Sequence, residues 1–187
     1  MQPATQYRIG APVSDSDGPV GEVTRIVVDP ASRRITHLVV EPKHRIGLGR
    51  LVPLDMVDVE GEGVRLLCDT AAFESLDSAE EVLFVRGADD WGGEGLVDAE
   101  VDDSLPTGEI ALKPGQPVHA LDGAIGEVEG FVAVGDGHEL THLLLREGHF
   151  LSRKEVAIPV GAVVGVEGGI RLNLTKEQIE SLPAIRT

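Results

Sequence analysis

Cysteine occurs once in 187 residues, as Cys68. A single thiol excludes an intramolecular disulfide and a zinc site built from cysteines, and it fits a reducing compartment. Aromatic residues are scarce: four Phe, one Tyr and one Trp, too few for the stacking platform that holds single-stranded nucleic acid. Bases are outnumbered by acids, 16 against 32, for a net charge of −16. Such a chain is repelled by polyphosphate, so no DNA partner is expected, and RNA or a ribosomal protein would need a local basic patch. Residues 1–10 hold no apolar signal-like run, and no apolar run approaches the roughly 20 residues of a membrane span. The expected compartment is the cytoplasm, with membrane contact only through a partner.

What the chain does contain is a repeat. Residues 10–41 carry Asp17-Gly18-x-x-Gly21-Glu22-Val23 and then Thr36-His37-Leu38-Val39-Val40. At a constant offset of 105 the chain writes Asp122-Gly123-x-x-Gly126-Glu127-Val128 and Thr141-His142-Leu143-Leu144-Leu145. The offset becomes 106 after a one-residue insertion, so Val52-Pro53 matches Ile158-Pro159 and Val64-Arg65-Leu66 matches Ile170-Arg171-Leu172. A fixed internal period of this kind indicates two similar structural units. The acidity sits between them: residues 77–109 hold eleven acids and one base, while the flanking parts carry a net −3 each.

Both units show short Val- and Ile-rich runs separated by Asp-Gly, Gly-x-Gly and Pro turns. This predicts strands at residues 11–13, 20–29, 35–40, 51–53, 56–59 and 64–68, with a short helix over 70–76. Thr175-x-x-Gln178 is a capping-box pattern and predicts a short final helix. The fold class is therefore mainly all-β, as small antiparallel barrels. A unit of about 70 residues is marginal alone. The strands at 35–40 and 140–145 are apolar on both faces, so one face needs a cover. The two units are expected to pack together, or the chain to form a homodimer, over these strands. In the connector, residues 82–85 and 96–101 read as strands, so its ends are expected to pack on the barrels.

The order of these parts, matched twice, resembles the PRC-barrel family: D-G-x-x-G-E-V, an apolar strand, a turn, T-H-L, then an apolar-Pro pair before a closing strand. The resemblance implies two tandem PRC-type β-barrels with short helical turns at the end of each repeat. Repeat 1 would span residues 1–77, a partly ordered acidic connector 78–110, and repeat 2 residues 111–187. Relatives of this fold include the cytoplasmic part of the photosynthetic reaction-centre H subunit and the C-terminal domain of the ribosome maturation factor. Their barrels dock partners and are not catalytic. The resemblance thus implies a non-catalytic interaction or adaptor protein for a protein partner.

Several residues are candidates for chemistry. His138-Glu139-Leu140-Thr141-His142 matches the zinc-protease pattern H-E-x-x-H, which needs a helix. Here it aligns with a strand, where positions four apart lie roughly 13 Å from each other, so no metal and no cofactor are expected. Glu22 with His37, and Glu127 with His142, form a repeated polar set that would make a Glu–His pair in each barrel. A small-ligand or metal-responsive sensor built on them is the alternative function; an enzyme without a recognisable signature is a further one. Asp17-Gly18 and Asp122-Gly123 read as turns, and Cys68, aligned with Leu174, as core. The loops after the Thr-His strands bring cations and apolar residues together in an acidic chain: His44, Arg45 and Arg50 in one, His149, Phe150, Arg153 and Lys154 in the other. That mix suits a partner-docking surface, with apolar anchors for energy and charges for orientation.

Overall fold

The structure, a computed structural model, describes residues 4–43, 49–85, 98–103, 105–135, 138–147, 155–166 and 168–183, with the backbone alone at 81–85, 98–103 and 147. It is mostly β. The first half holds β1 (Ala4–Arg8), β2 (Pro12–Ser14), β3 (Pro19–Asp29), β4 (Arg34–Pro42), β5 (Arg50–Pro53), β6 (Val57–Glu60), β7 (Gly63–Leu66) and helix α1 (Thr70–Glu74). The connector contributes β8 (Glu80–Val85) and β9 (Asp98–Asp103), paired with each other as an antiparallel ribbon. The second half holds β10 (Ile110–Leu112), β11 (Pro117–Ala120), β12 (Gly123–Val134), β13 (Glu139–Glu147), β14 (Glu155–Pro159), β15 (Val163–Gly165), β16 (Ile170–Leu172) and helix α2 (Lys176–Glu180). Among the described residues no helix is long and apolar enough to cross a membrane.

The repeated motif has a physical reason at each position. Gly18 and Gly123 sit at φ 141° and 130°, backbone that side chains with a Cβ rarely adopt. A Cβ on Gly21 would lie 2.0 Å from the Glu41 carbonyl oxygen, and one on Gly126 would lie 2.1 Å from that of Arg146. The second glycine of the motif is therefore what lets β4 and β13 approach. Asp17 accepts from the Thr70 amide at 3.2 Å and Asp122 from the Lys176 amide at 2.9 Å, so the same turn fastens the helix of each half. α2 carries the expected capping box of Thr175 and Gln178, while α1 is capped by Asp69. Thr141 donates to the Val132 carbonyl at 3.1 Å, and the equivalent Thr36 hydroxyl lies 3.4 Å from the Val27 carbonyl, beside equivalent irregularities in β12 and β3.

The two halves are joined by exchange. β3 is eleven residues long, and its hairpin partner β2 covers only Pro19 to Glu22. The amides and carbonyls beyond need partners. β10, from the other half, supplies them: Leu112 lies opposite Ile26 and Ala111 opposite Val27. β1 does the reverse on β12, with Tyr7 opposite Phe131 and Gln6 opposite Val132. Under the offset of 105 these are one ladder with the halves interchanged. A third link is its own mirror: Arg34 opposes Glu139, the Ile35 amide donates to His138 O at 3.2 Å, and the Leu140 amide donates to Arg33 O at 2.9 Å. Arg33 and His138 are equivalent positions, and both adopt left-handed backbone, φ 55° and 50°.

The ladders thus connect fourteen strands in a single mixed sheet, whose path runs open from β15 to β6. Sequence analysis expects two separate barrels and does not foresee the exchanged strands. The main core draws on both halves, with Ile26, Leu38 and Phe73 in one cluster with Phe131, Leu143 and Ile179. The second face of β3 and β4 is covered from two sources. Val27 and Val39, both fully buried, pack with Leu51 and Ala79, and Leu105 and Ala111 close over them. The connector, through Ala79 and Leu105, and β10 of the other half, through Ala111, together cover that face. Each fully buried aliphatic side chain contributes roughly 1.5–3 kcal/mol.

The β1 ladder is one pair longer than the β10 ladder at each end, and at one end the reason is local. β1 continues to Arg8 opposite Gly130, where a Cβ would lie 2.2 Å from the Tyr7 carbonyl oxygen. The position equivalent to Gly130 is Arg25, and β10 stops one residue short of it. Gly130→Ala is therefore expected to push β1 off β12, at a cost of about 1–3 kcal/mol. Denaturant unfolding should show that loss, with faster hydrogen exchange at the β1 amides; unchanged stability would remove the close approach as a determinant.

Candidate functional site

The structure does not bring the expected Glu–His pairs together. Glu22 is exposed and lies opposite Pro12 and Glu41, whereas His37 lies opposite Val27 and Pro53. Glu127 is likewise exposed, opposite Pro117 and Arg146, and His142 lies opposite Val132 and Pro159. Glutamate and histidine are separated along each hairpin, too far for a direct bond. His37 has a carboxylate partner, but it comes from outside the motif. Glu109 Oε2 is 3.5 Å from His37 Nδ1 and accepts from the Thr36 hydroxyl at 2.7 Å. In the second half the position equivalent to Glu109 is Ala4, and His142 Nδ1 meets the Thr141 hydroxyl at 3.0 Å.

His138 to His142 is turn and strand, so the helix required by the zinc-protease reading is absent. Among the described residues no three His, Cys, Asp or Glu side chains gather as a metal site. Cys68 is half-buried and packs on the main core. Burial, with Asp15 and Asp69 nearby, pushes its thiol up, away from nucleophilic character. Of the docking candidates, Arg50 is described: its Nη1 donates to the Leu76 carbonyl at 3.0 Å and fastens the chain after α1. His44, Arg45, His149, Phe150, Arg153 and Lys154 lie outside the described residues.

Three polar clusters escape sequence reading. Arg25 forms an ion pair with Glu80, each side chain only 10% exposed, beneath the connector. Arg8 reaches across the exchange to Glu155, at 2.8 Å from Oε1. Asp15, 6% exposed, accepts from the Asp17 and Gly18 amides at 2.8 and 2.9 Å and from the Thr70 hydroxyl at 2.6 Å. Burial raises the Asp15 carboxyl, but the Thr70 hydroxyl and the two amides outweigh it and hold it below its ordinary value. Arg25 with Glu80, Arg8 with Glu155 and Asp15 with Thr70 are each far apart in the chain, so the sequence pattern does not mark these contacts.

Two clefts flank the seam between the halves, and the repeat relates them. The first, of about 210 Å³, is polar: Thr5, Tyr7, Asp58 and His138 line it. Tyr7 Oη is 2.9 Å from His138 Nδ1, and the rings meet edge to face at 6.0 Å. Burial pushes the Tyr7 hydroxyl up to about 12. The second cleft, of about 270 Å³, has Ile110, Leu112, Val164 and Arg33 at the four equivalent positions. It is the more apolar of the two, and Val164 on its lip is 63% exposed. The sequence holds the clue to this divergence, since the aligned positions are readable, but only the exchange shows that they share a cleft.

Comparison with protein-family models finds no match to this chain, and comparison with curated proteins finds none either.

Two outcomes follow from this geometry. Tyr7 is the sole tyrosine, so phenolate absorbance reads it alone. Its folded-state value near 12 lies above the unfolded value near 10. Its contribution is therefore complete below pH 10 and is lost as pH rises from about 10 through about 12. The phenolate signal should appear near pH 12 in the folded chain, and Tyr7→Phe should flatten the alkaline fall in stability; a midpoint near 10 would count against burial of the hydroxyl. Arg25→Met leaves the Glu80 carboxylate uncompensated and is expected to cost roughly 3–5 kcal/mol, most of it recovered in Arg25→Met/Glu80→Leu. Equal loss in single and double variants, read by denaturant unfolding, would show that packing rather than charge dominates there.

Proposed function

We propose that this chain is a non-catalytic interaction module of two PRC-type barrels, with one protein-docking end per repeat. The barrel reading is supported by the parallel pairing of β2 with β7 and of β11 with β16, which sets the first hairpin of each half beside its last strand. Such pairing curls a short sheet back on itself.

The observation that carries the docking reading is the meeting of β4 and β13. They oppose each other at a single register, Arg34 with Glu139, and run antiparallel from there. Each strand then continues eight residues, to Pro42 and to Glu147, in opposite directions. At about 3.3 Å per residue the two strand ends are on the order of 50 Å apart. The cation-bearing loops begin at those ends, so their residues serve two separate docking points rather than one patch. Pairing of the two halves within one chain supports the first of the two expected arrangements, packing of the units together, over a homodimer. The proposed unit is therefore one chain holding two equivalent ends at a fixed span, in the cytoplasm or a similarly reducing compartment. A partner with two matching surfaces gains by avidity, which multiplies affinity by about 10²–10⁴ when the span fits.

Charge reversal at each end separates the two points. Arg50 is left in place because it holds the Leu76 carbonyl. With the chain as bait, Arg45→Glu and, separately, Arg153→Glu/Lys154→Glu should each weaken retention of a captured partner, and the combined variant should abolish it. Retention unaffected by the combined variant removes these loops as docking ends.

A further inference from the structure

We propose that the apolar cleft at the seam binds a short aliphatic carboxylate, with its tail against Leu112, Phe131, Leu140 and Val164 and its carboxylate on Arg33. This goes beyond the docking reading and concerns a different surface.

The cleft's floor is core: Leu112, Phe131 and Leu140 are buried members of the main cluster, whereas Val164 on the lip is 63% exposed. An apolar floor under a solvent-facing valine favours an aliphatic occupant, which takes that surface out of water. The cleft's volume of about 270 Å³ lies just under the roughly 300–1,000 Å³ typical of drug-sized ligands, so the tail is short.

Two charged residues line the cleft, Asp29 and Arg33. Asp29 is turned into its own turn: Oδ1 accepts from the Ala31 amide at 2.9 Å and Oδ2 from the Ser32 hydroxyl at 2.6 Å. The Arg33 guanidinium has no hydrogen bond or ion pair among the described residues; its carbonyl alone is engaged, by the Leu140 amide. An uncommitted guanidinium beside an apolar cleft, in a chain of net charge −16, selects an anionic head and matches a carboxylate in a bidentate fork.

Comparison with the related cleft supports the assignment. There the equivalent of Arg33 is His138, engaged by the Tyr7 hydroxyl, so that cleft is satisfied from within. In the apolar cleft Tyr7 is replaced by Leu112, and no described side chain engages the Arg33 guanidinium. Arg33 also stands at φ 55°, where glycine would sit without strain.

That last fact supplies the test. Sodium octanoate is titrated into the full chain and followed by backbone amide chemical shifts. Saturable shifts are expected at Ile110, Leu112 and Val164. Octanol, which lacks the carboxylate, should bind roughly tenfold or more weakly. Hexanoate, two methylenes shorter, should bind about fifteenfold more weakly. Arg33→Gly should bring octanoate down to the level of octanol, with a melting temperature equal to or above that of the parent. Absence of saturable shifts, shifts confined to Thr5 and Asp58 of the other cleft, octanol binding as tightly as octanoate, hexanoate matching octanoate, or full affinity in Arg33→Gly would each overturn the proposal.

Discussion

The structure depends on one constraint: a long strand cannot leave half of its edge unpaired inside a shared core. β3 and β12 each outrun their own hairpin partners, β2 and β11. Their remaining amides and carbonyls are satisfied by β10 and β1, each taken from the other half. Everything else at the seam follows from that exchange. It brings Tyr7 to His138, Arg8 to Glu155 and Glu109 to His37, and it places Leu105 and Ala111 over Val27 and Val39. A marginal unit of about 70 residues gains a larger core by this route without a second chain.

The exchange also explains how two copies of one motif diverged without losing the scaffold. The repeated positions that touch the backbone do the same job twice: glycine for close approach and aspartate for the helix amide. The positions on the exchanged strands and opposite them vary freely. Arg25 in one half answers Gly130 in the other, and Glu109 answers Ala4. The consequence is a buried ion pair and a histidine–carboxylate contact on one side only, and two clefts at equivalent places that differ in polarity. Internal symmetry fixes geometry, while side chains at the seam set chemistry.

The seam further decides how the two ends of the proposed docking module are arranged. Because β4 and β13 meet at their starts and run apart, the loops that follow them belong to opposite ends. The exchanged strands join the halves by two ladders and a shared core. The clefts lie at the centre of this span. A small ligand seated there would touch residues of both halves at once.

By itself the sequence determined the repeat, the strand and turn alternation, the two short helices and the apolar faces that demanded cover. These are local matters: glycine and aspartate fix turns, β-branched residues favour strands, and a capping box ends a disordered approach to a helix. It also marked Glu22, His37, Glu127 and His142 as repeated, but repetition carries no information on distance, and the structure separates each glutamate from its histidine along a hairpin. Neither exchanged strand was legible. Ala4–Arg8 and Ile110–Leu112 are short and lack a turn signal joining them to their partners, which lie more than a hundred and about eighty residues away. Tertiary structure alone decided which half each strand completes, and with it that Glu109 meets His37, that Arg25 meets Glu80 and that Arg33 faces an apolar cleft. The physical reason is that backbone hydrogen bonding is blind to side-chain identity. Any strand of the right length can fill an open edge, and only packing of the whole chain selects the one that does.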